Sequence, residues 1–191
     1  MTKDLSTSKS ISSDARYWSR LIESDRKIVC FGTGLRLGGS YDLASYARSL
    51  PEGIVLCDPK LIAGTEHLEA VLLQTAEYWK RNQRLVRNGS IEILMRLACK
   101  SQITEAVKAS NISDTDKVAL VGLASSQKQV EKLIQDLLSE YVSAKIDPDL
   151  LRLGVGKARS LKKLHGLPSW LTNGQLQTAL QEKSVLLIFS K

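Results

Sequence analysis

The chain has 191 residues, 43% of them hydrophobic, which is enough to bury one substantial core and short for two. Its 27 Lys and Arg against 20 Asp and Glu leave a net charge of +7, which favours a polyanionic partner and also serves solubility. No apolar run approaches the roughly 20 residues that cross a bilayer, and the start lacks the hydrophobic stretch of a secretory signal, so a soluble cytoplasmic protein with no membrane partner is expected.

Residues 1–16 are rich in Ser, Thr and Lys with little to bury, and read as a disordered tail ahead of one domain over 17–191. Three apolar runs, KIVCFG (27–32), GIVLCD (53–58) and KVALVGLA (117–124), are bounded by Gly or Asp and read as buried strands. Cys30, Cys57 and Cys99 sit in these and other apolar segments; they are odd in number and far apart, which suits reduced, buried small hydrophobes better than a disulfide frame or a metal site.

A helix is expected after Gly64 with Thr65 as N-cap, burying Leu68, Val71, Leu72, Thr75 and Trp79 and ending in a run of cations. Lys80, Arg81, Arg84 and Arg87 fall within eight residues that hold no acid, so a local basic patch is expected; the first two also suit a helix C-terminus. The turn RNGS follows, with Gly89 in a backbone conformation other residues avoid and Ser90 as the next cap.

The helix from Ser90 to Cys99 is apolar around most of its circumference, leaving one polar line through Glu92, Arg96 and Lys100. That line reads in two ways: as an i,i+4 ion pair worth a few tenths of a kcal/mol, or as a binding stripe in which Arg96 and Gln102 converge beside the Arg84–Arg87 turn. Ser101 caps a short helix with Ile103, Ala106, Val107 and Ser110 inward, and Val130, Leu133, Ile134, Leu137, Leu138 and Tyr141 line one face of a later helix capped by Ser125 or Ser126.

Chemistry-bearing groups are scarce. CFGTGLRLGG spaces its glycines as G-x-G-x-x-x-G, which is not the dinucleotide pattern, and GVGK at 154–157 lacks both the first glycine and the hydroxyl of a phosphate loop. His67 and His165 stand apart from any nucleophile or paired acid. No catalytic residue, metal site, cofactor or small-molecule substrate is expected.

From VLCDPKLIAGTEHLEAVLLQTAEYW through NGSIEILMRLACKSQITEAVKASNISDTDKVALVGL, over roughly residues 53–124, the chain resembles the small accessory subunit of the KEOPS complex, the PRPK-binding protein family, in its archaeal form. The most specific part is the succession Glu92-Ile93-Leu94, Arg96, Gln102-Ile103 and Glu105-Ala106, with Ala63, His67, Leu68 and Ala70 as a second point. KEOPS makes the threonylcarbamoyl modification (t6A) of adenosine in tRNA; catalysis lies in another subunit, and a kinase-like ATPase assists. The resemblance implies a non-catalytic protein that docks on that ATPase and holds the single-stranded CCA end of tRNA. Under it, Lys80, Arg81, Arg84 and Arg87 would meet phosphates, Asn88, Arg96 and Gln102 sugars or base edges, and Ser90 and Lys100 would complete the contact. Leu180, Leu186, Leu187 and Phe189 near the C-terminus would supply an apolar docking surface, in a terminal helix that SVLLIF alone would also allow as a strand. A purely protein-binding regulator of the ATPase is the alternative. The expected fold is a single α/β domain, a small central β-sheet flanked by about six to eight helices.

Overall fold

The computed structural model describes residues 17–22, 27–39, 41–110, 112 and 115–190, so the expected tail at 1–16 lies outside the described residues. Five strands form one antiparallel sheet: β1 (Trp18–Ile22), β2 (Ile28–Arg36), β3 (Ile54–Cys57), β4 (Lys117–Ala124) and β5 (Lys145–Ile146). The order is β1-β2-β4-β3, and β5 pairs the far end of β2, Leu35 against Ile146, beyond the reach of β1. Seven α-helices are described: α1 (Leu43–Ser49), α2 (Thr65–Lys80), α3 (Gly89–Ala98), α4 (Ile103–Ser110), α5 (Gln127–Glu140), α6 (Val155–Leu164) and α7 (Asn173–Leu186). The α/β expectation holds.

The central strands are apolar on both faces because each face is covered by helices, and alternate residues divide between two cores. Cys30, Val55, Cys57, Ala119 and Val121 pack with Leu68, Val71 and Leu72 of α2 and Ile93 and Leu97 of α3. Val29, Phe31, Leu35, Ile54, Leu56 and Leu120 pack with Leu43 of α1 and Val130, Ile134 and Leu137 of α5. A third cluster, Ala63, Ala158, Leu161, Leu176 and Leu180, joins α6 and α7 to the start of α2.

Several local expectations change. The glycine-rich stretch after Cys30 is no loop: it continues β2 to Arg36. A Cβ at Gly32 would strike Leu68, and one at Gly34 would strike Leu150 and the Asp147 carbonyl, so these glycines serve close packing. Gly64, with φ of +97°, takes the cap position of α2, and Thr65 is its first helical residue. Asn88, not Ser90, caps α3, its side chain accepting from the Ile91 amide at 3.1 Å. On α4, Ala106 and Ser110 are buried while Ile103 and Val107 are each 46% exposed, because this short helix meets the body along a narrow strip. The C-terminal segment is helical to Leu186 and closes in a 3₁₀ turn over Leu187–Ser190.

Candidate nucleic-acid interface

Helix α2 ends at Lys80, and Asn82, in the left-handed region at φ 56°, turns the chain into the segment leading to α3. Lys80, Arg81, Arg84, Arg87 and Asn88 are all exposed on this turn, so the expected basic patch exists. Much of its charge is answered locally. Arg81 pairs with Glu77 at 2.7 Å, and Arg84 donates to Glu52 at 2.9 Å and to the Arg87 carbonyl at 3.2 Å. The Arg84 guanidinium also lies 4.7 Å over the Trp79 ring. The same Glu52 oxygen accepts from the Gly89 amide at 3.1 Å, so one carboxylate fixes both the loop and the start of α3. Among the described residues Lys80 and Arg87 carry no ion pair.

Gly89 is required for a reason other than turn geometry, since its φ is not positive: a Cβ there would enter the Trp79 ring. Ser90 faces inward, and its hydroxyl accepts from the Gly53 amide at 3.0 Å, tying α3 to β3. It is therefore a scaffold residue.

Arg96 overturns the expectation placed on it. Arg96 and Glu92 are both 0% exposed and form a buried pair, with Nε at 3.1 Å and Nη2 at 2.8 Å from Glu92 Oε1. The other Glu92 oxygen accepts from Trp79 Nε1 at 2.9 Å. Arg96 Nη1 reaches the Ser184 carbonyl of α7 at 3.4 Å, its guanidinium lies 4.8 Å over Tyr78, and the Ser184 hydroxyl donates to Gln74 at 3.2 Å. Every face of the guanidinium is thus occupied inside the protein, the arrangement that a buried charge requires. The polar stripe of α3 holds α2 and α7.

Nor do the two ends of α3 converge. Asn88 and Lys100 flank a helix of ten residues, about 15 Å of rise. Lys100 pairs with Glu105 at 3.7 Å and Gln102 is exposed at that far end, so neither adjoins the Arg84–Arg87 turn. The apolar candidates divide as well. Leu180, on the side of α7 that packs against the body, and Leu187, at the start of the 3₁₀ turn, are core residues at 0% and 7% exposure; Leu186 and Phe189 are 56% and 77% exposed.

Glu52, Gln74 and Ser184 complete this arrangement and escape sequence reasoning, since each acts across 30 residues or more of chain. Among the described residues no group of His, Cys, Asp and Glu is arranged to hold a metal, and no helix is long and apolar enough to cross a membrane. Burial pushes the thiols of Cys30, Cys57 and Cys99 up to about 12, away from nucleophilic use. It pushes His67 down to about 3; the Nδ1 of this residue accepts from the Ala63 amide at 3.1 Å, which makes it a structural acceptor.

A family model described as kinase binding protein CGI-121 matches residues 44–182. The matched span takes in the basic turn, the Glu92–Arg96 pair and α6, and leaves out β1 and β2. No curated protein matches the chain.

Proposed function

The chain belongs to the family of the kinase binding protein CGI-121, and on that premise we propose that it is a non-catalytic accessory subunit of the KEOPS complex. In this reading it docks on the kinase-like ATPase subunit and holds the single-stranded CCA end of tRNA in support of t6A modification. The observation that carries the RNA part is the exposed turn at 80–88, where Lys80 and Arg87 stand open beside Asn88. Cations of this kind meet phosphates, and their contacts weaken steeply with added salt. Exposed Leu186, at the end of α7, and Phe189, on the terminal turn, offer an apolar contact to the ATPase.

Gel-shift titration of tRNA with and without its CCA end tests the reading. Binding is expected to fall at least tenfold on trimming and on Lys80→Glu with Arg87→Glu, two exposed sites whose change leaves stability within about 0.5 kcal/mol. Equal retention of intact and trimmed tRNA by both proteins would refute it.

A second reading, a protein-binding regulator of the ATPase with no RNA contact, draws on a specific observation. Arg96 is sealed inside, and Arg81 and Arg84 are already answered by acids, which removes three of the expected contacts. Capture of the ATPase without any tRNA shift would select it.

A further inference from the structure

The strongest unassigned charge lies elsewhere. From residue 150 to residue 181 the chain carries Arg152, Lys157, Arg159, Lys162 and Lys163 and no acid; Arg152 pairs with Asp149, just ahead of the run, at 3.1 Å. Helix α6 and the loop 165–172 that leads to α7 enclose a groove of about 510 Å³, lined by Val155, Ala158, Arg159, Lys163, Leu167 and Asn173 among others. Arg159 and Lys163 are exposed and four residues apart, so they project side by side from one face of α6. No acid pairs with either of them among the described residues.

Next along the chain to Ser169, which lines the groove, comes Trp170, 72% exposed, whereas Trp18 and Trp79 are both partly buried. The loop that carries it is not slack. Lys162 Nζ donates to the carbonyls of Ser169 at 2.9 Å and Leu171 at 2.5 Å, the residues on either side of the tryptophan. The backbone is therefore pinned to α6 while the indole is left in water. Folding gains nothing from that exposure; a planar face on a fixed loop that borders a cationic groove is what an unpaired nucleobase and its phosphates bind.

We propose that the groove between α6 and the 165–172 loop binds a single-stranded polynucleotide, with phosphates over Arg159 and Lys163 and a base stacked on Trp170. An acidic peptide would use the cations but has little to lay on the indole. The site shares no residue with the 80–88 turn, and it stands whether or not that turn binds RNA.

Tryptophan fluorescence of the full chain titrated with a 12-residue oligoadenylate tests it, together with anisotropy of the labelled oligonucleotide. Saturable quenching is expected, and it disappears in Trp170→Phe. Affinity falls about tenfold in Trp170→Ala, the scale of one stacked base, and at least as much in Arg159→Glu with Lys163→Glu. Quenching persists in Lys80→Glu with Arg87→Glu, which separates this site from the other. No quenching of the parent chain, unchanged affinity in Trp170→Ala, or polyglutamate binding as tightly as the oligonucleotide would each overturn the proposal. Loss of binding only in the Lys80 and Arg87 variant would overturn it too and leave the turn as the RNA contact.

Discussion

The turn at 80–88 and the α6 surface are both basic, yet they are built in opposite ways. At the turn, Glu52 and Glu77 answer Arg84 and Arg81, Trp79 lies beneath, and the first residue of α3 is fastened to the same carboxylate. Around α6 the nearest acids along the chain are Asp149, which pairs with Arg152 at 3.1 Å, and Glu182, while Lys157 and Lys162 donate to backbone carbonyls. The first is braced by acids and keeps Lys80 and Arg87 exposed at its rim; the second leaves Arg159 and Lys163 without an acid partner among the described residues. Counting Lys and Arg along a sequence does not separate the two cases, because the acid that answers an arginine can lie 32 residues away, as Glu52 does from Arg84.

The largest expected effect tests whether the turn is held from behind. Arg96→Glu places two carboxylates in one buried site and strands the Ser184 carbonyl; a loss of at least 3 to 5 kcal/mol is expected, enough to unfold the chain in urea titration. Arg96→Met paired with Glu92→Leu should recover most of that stability. If the single variant melts like the parent, the buried pair does not support the turn. Next comes Gly89→Ala, where the new methyl meets the Trp79 ring; a loss of about 1 to 3 kcal/mol is expected, with a red shift in tryptophan emission as the indole is displaced.

The region behind α6 is probed by pH. His67 is fully buried and titrates at about 3 in the fold against an ordinary 6.5, with burial as the main cause and His165 and Lys157 adding to it. The unfolded chain therefore takes up the proton first. Stability is whole above pH 6.5 and declines as pH falls toward 3, and by pH 5 this residue accounts for a loss of about 2 kcal/mol. His67→Asn keeps an acceptor for the Ala63 amide without titrating, so the pH dependence of its urea midpoint should flatten; an unchanged slope would place the effect elsewhere. The smallest effect compares the two basic surfaces directly. Arg84→Ala is expected to cost up to about 1 kcal/mol through Glu52 and Trp79, and Arg159→Ala nearly nothing. Equal costs would remove the distinction between the two surfaces.

The elements themselves could be read from periodicity. Strands β2, β3 and β4, the buried face of α5 and the amphipathic α2 follow from apolar spacing alone. What escaped was set by contacts that spacing does not encode. β2 ran past its glycines because Leu68 and Leu150 need the space that a side chain would fill. Edge strands β1 and β5 are short and carry little pattern. Of the candidate site, the exposed turn was visible and Arg96 was misplaced, although the i,i+4 pair with Glu92 stood in the sequence as the other choice. An apolar helix with one polar line can turn that line to water or to a third helix, and only α7 decides which. The acid-free run from 150 to 181 is equally legible in the sequence, but its cations are dispersed from Arg152 to Lys163 rather than contiguous and form no patch until α6 folds.

Ser184 lends its carbonyl to a guanidinium of α3 through a bond 88 residues long in sequence. Trimming the protein ahead of that position would strip the proposed docking epitope and at the same time leave a cation short of an acceptor in the interior. A truncated form that no longer captures its partner would then report misfolding as readily as a lost interface. Single changes at Leu186 or Phe189, whose side chains lie mostly outside the core, avoid that confusion.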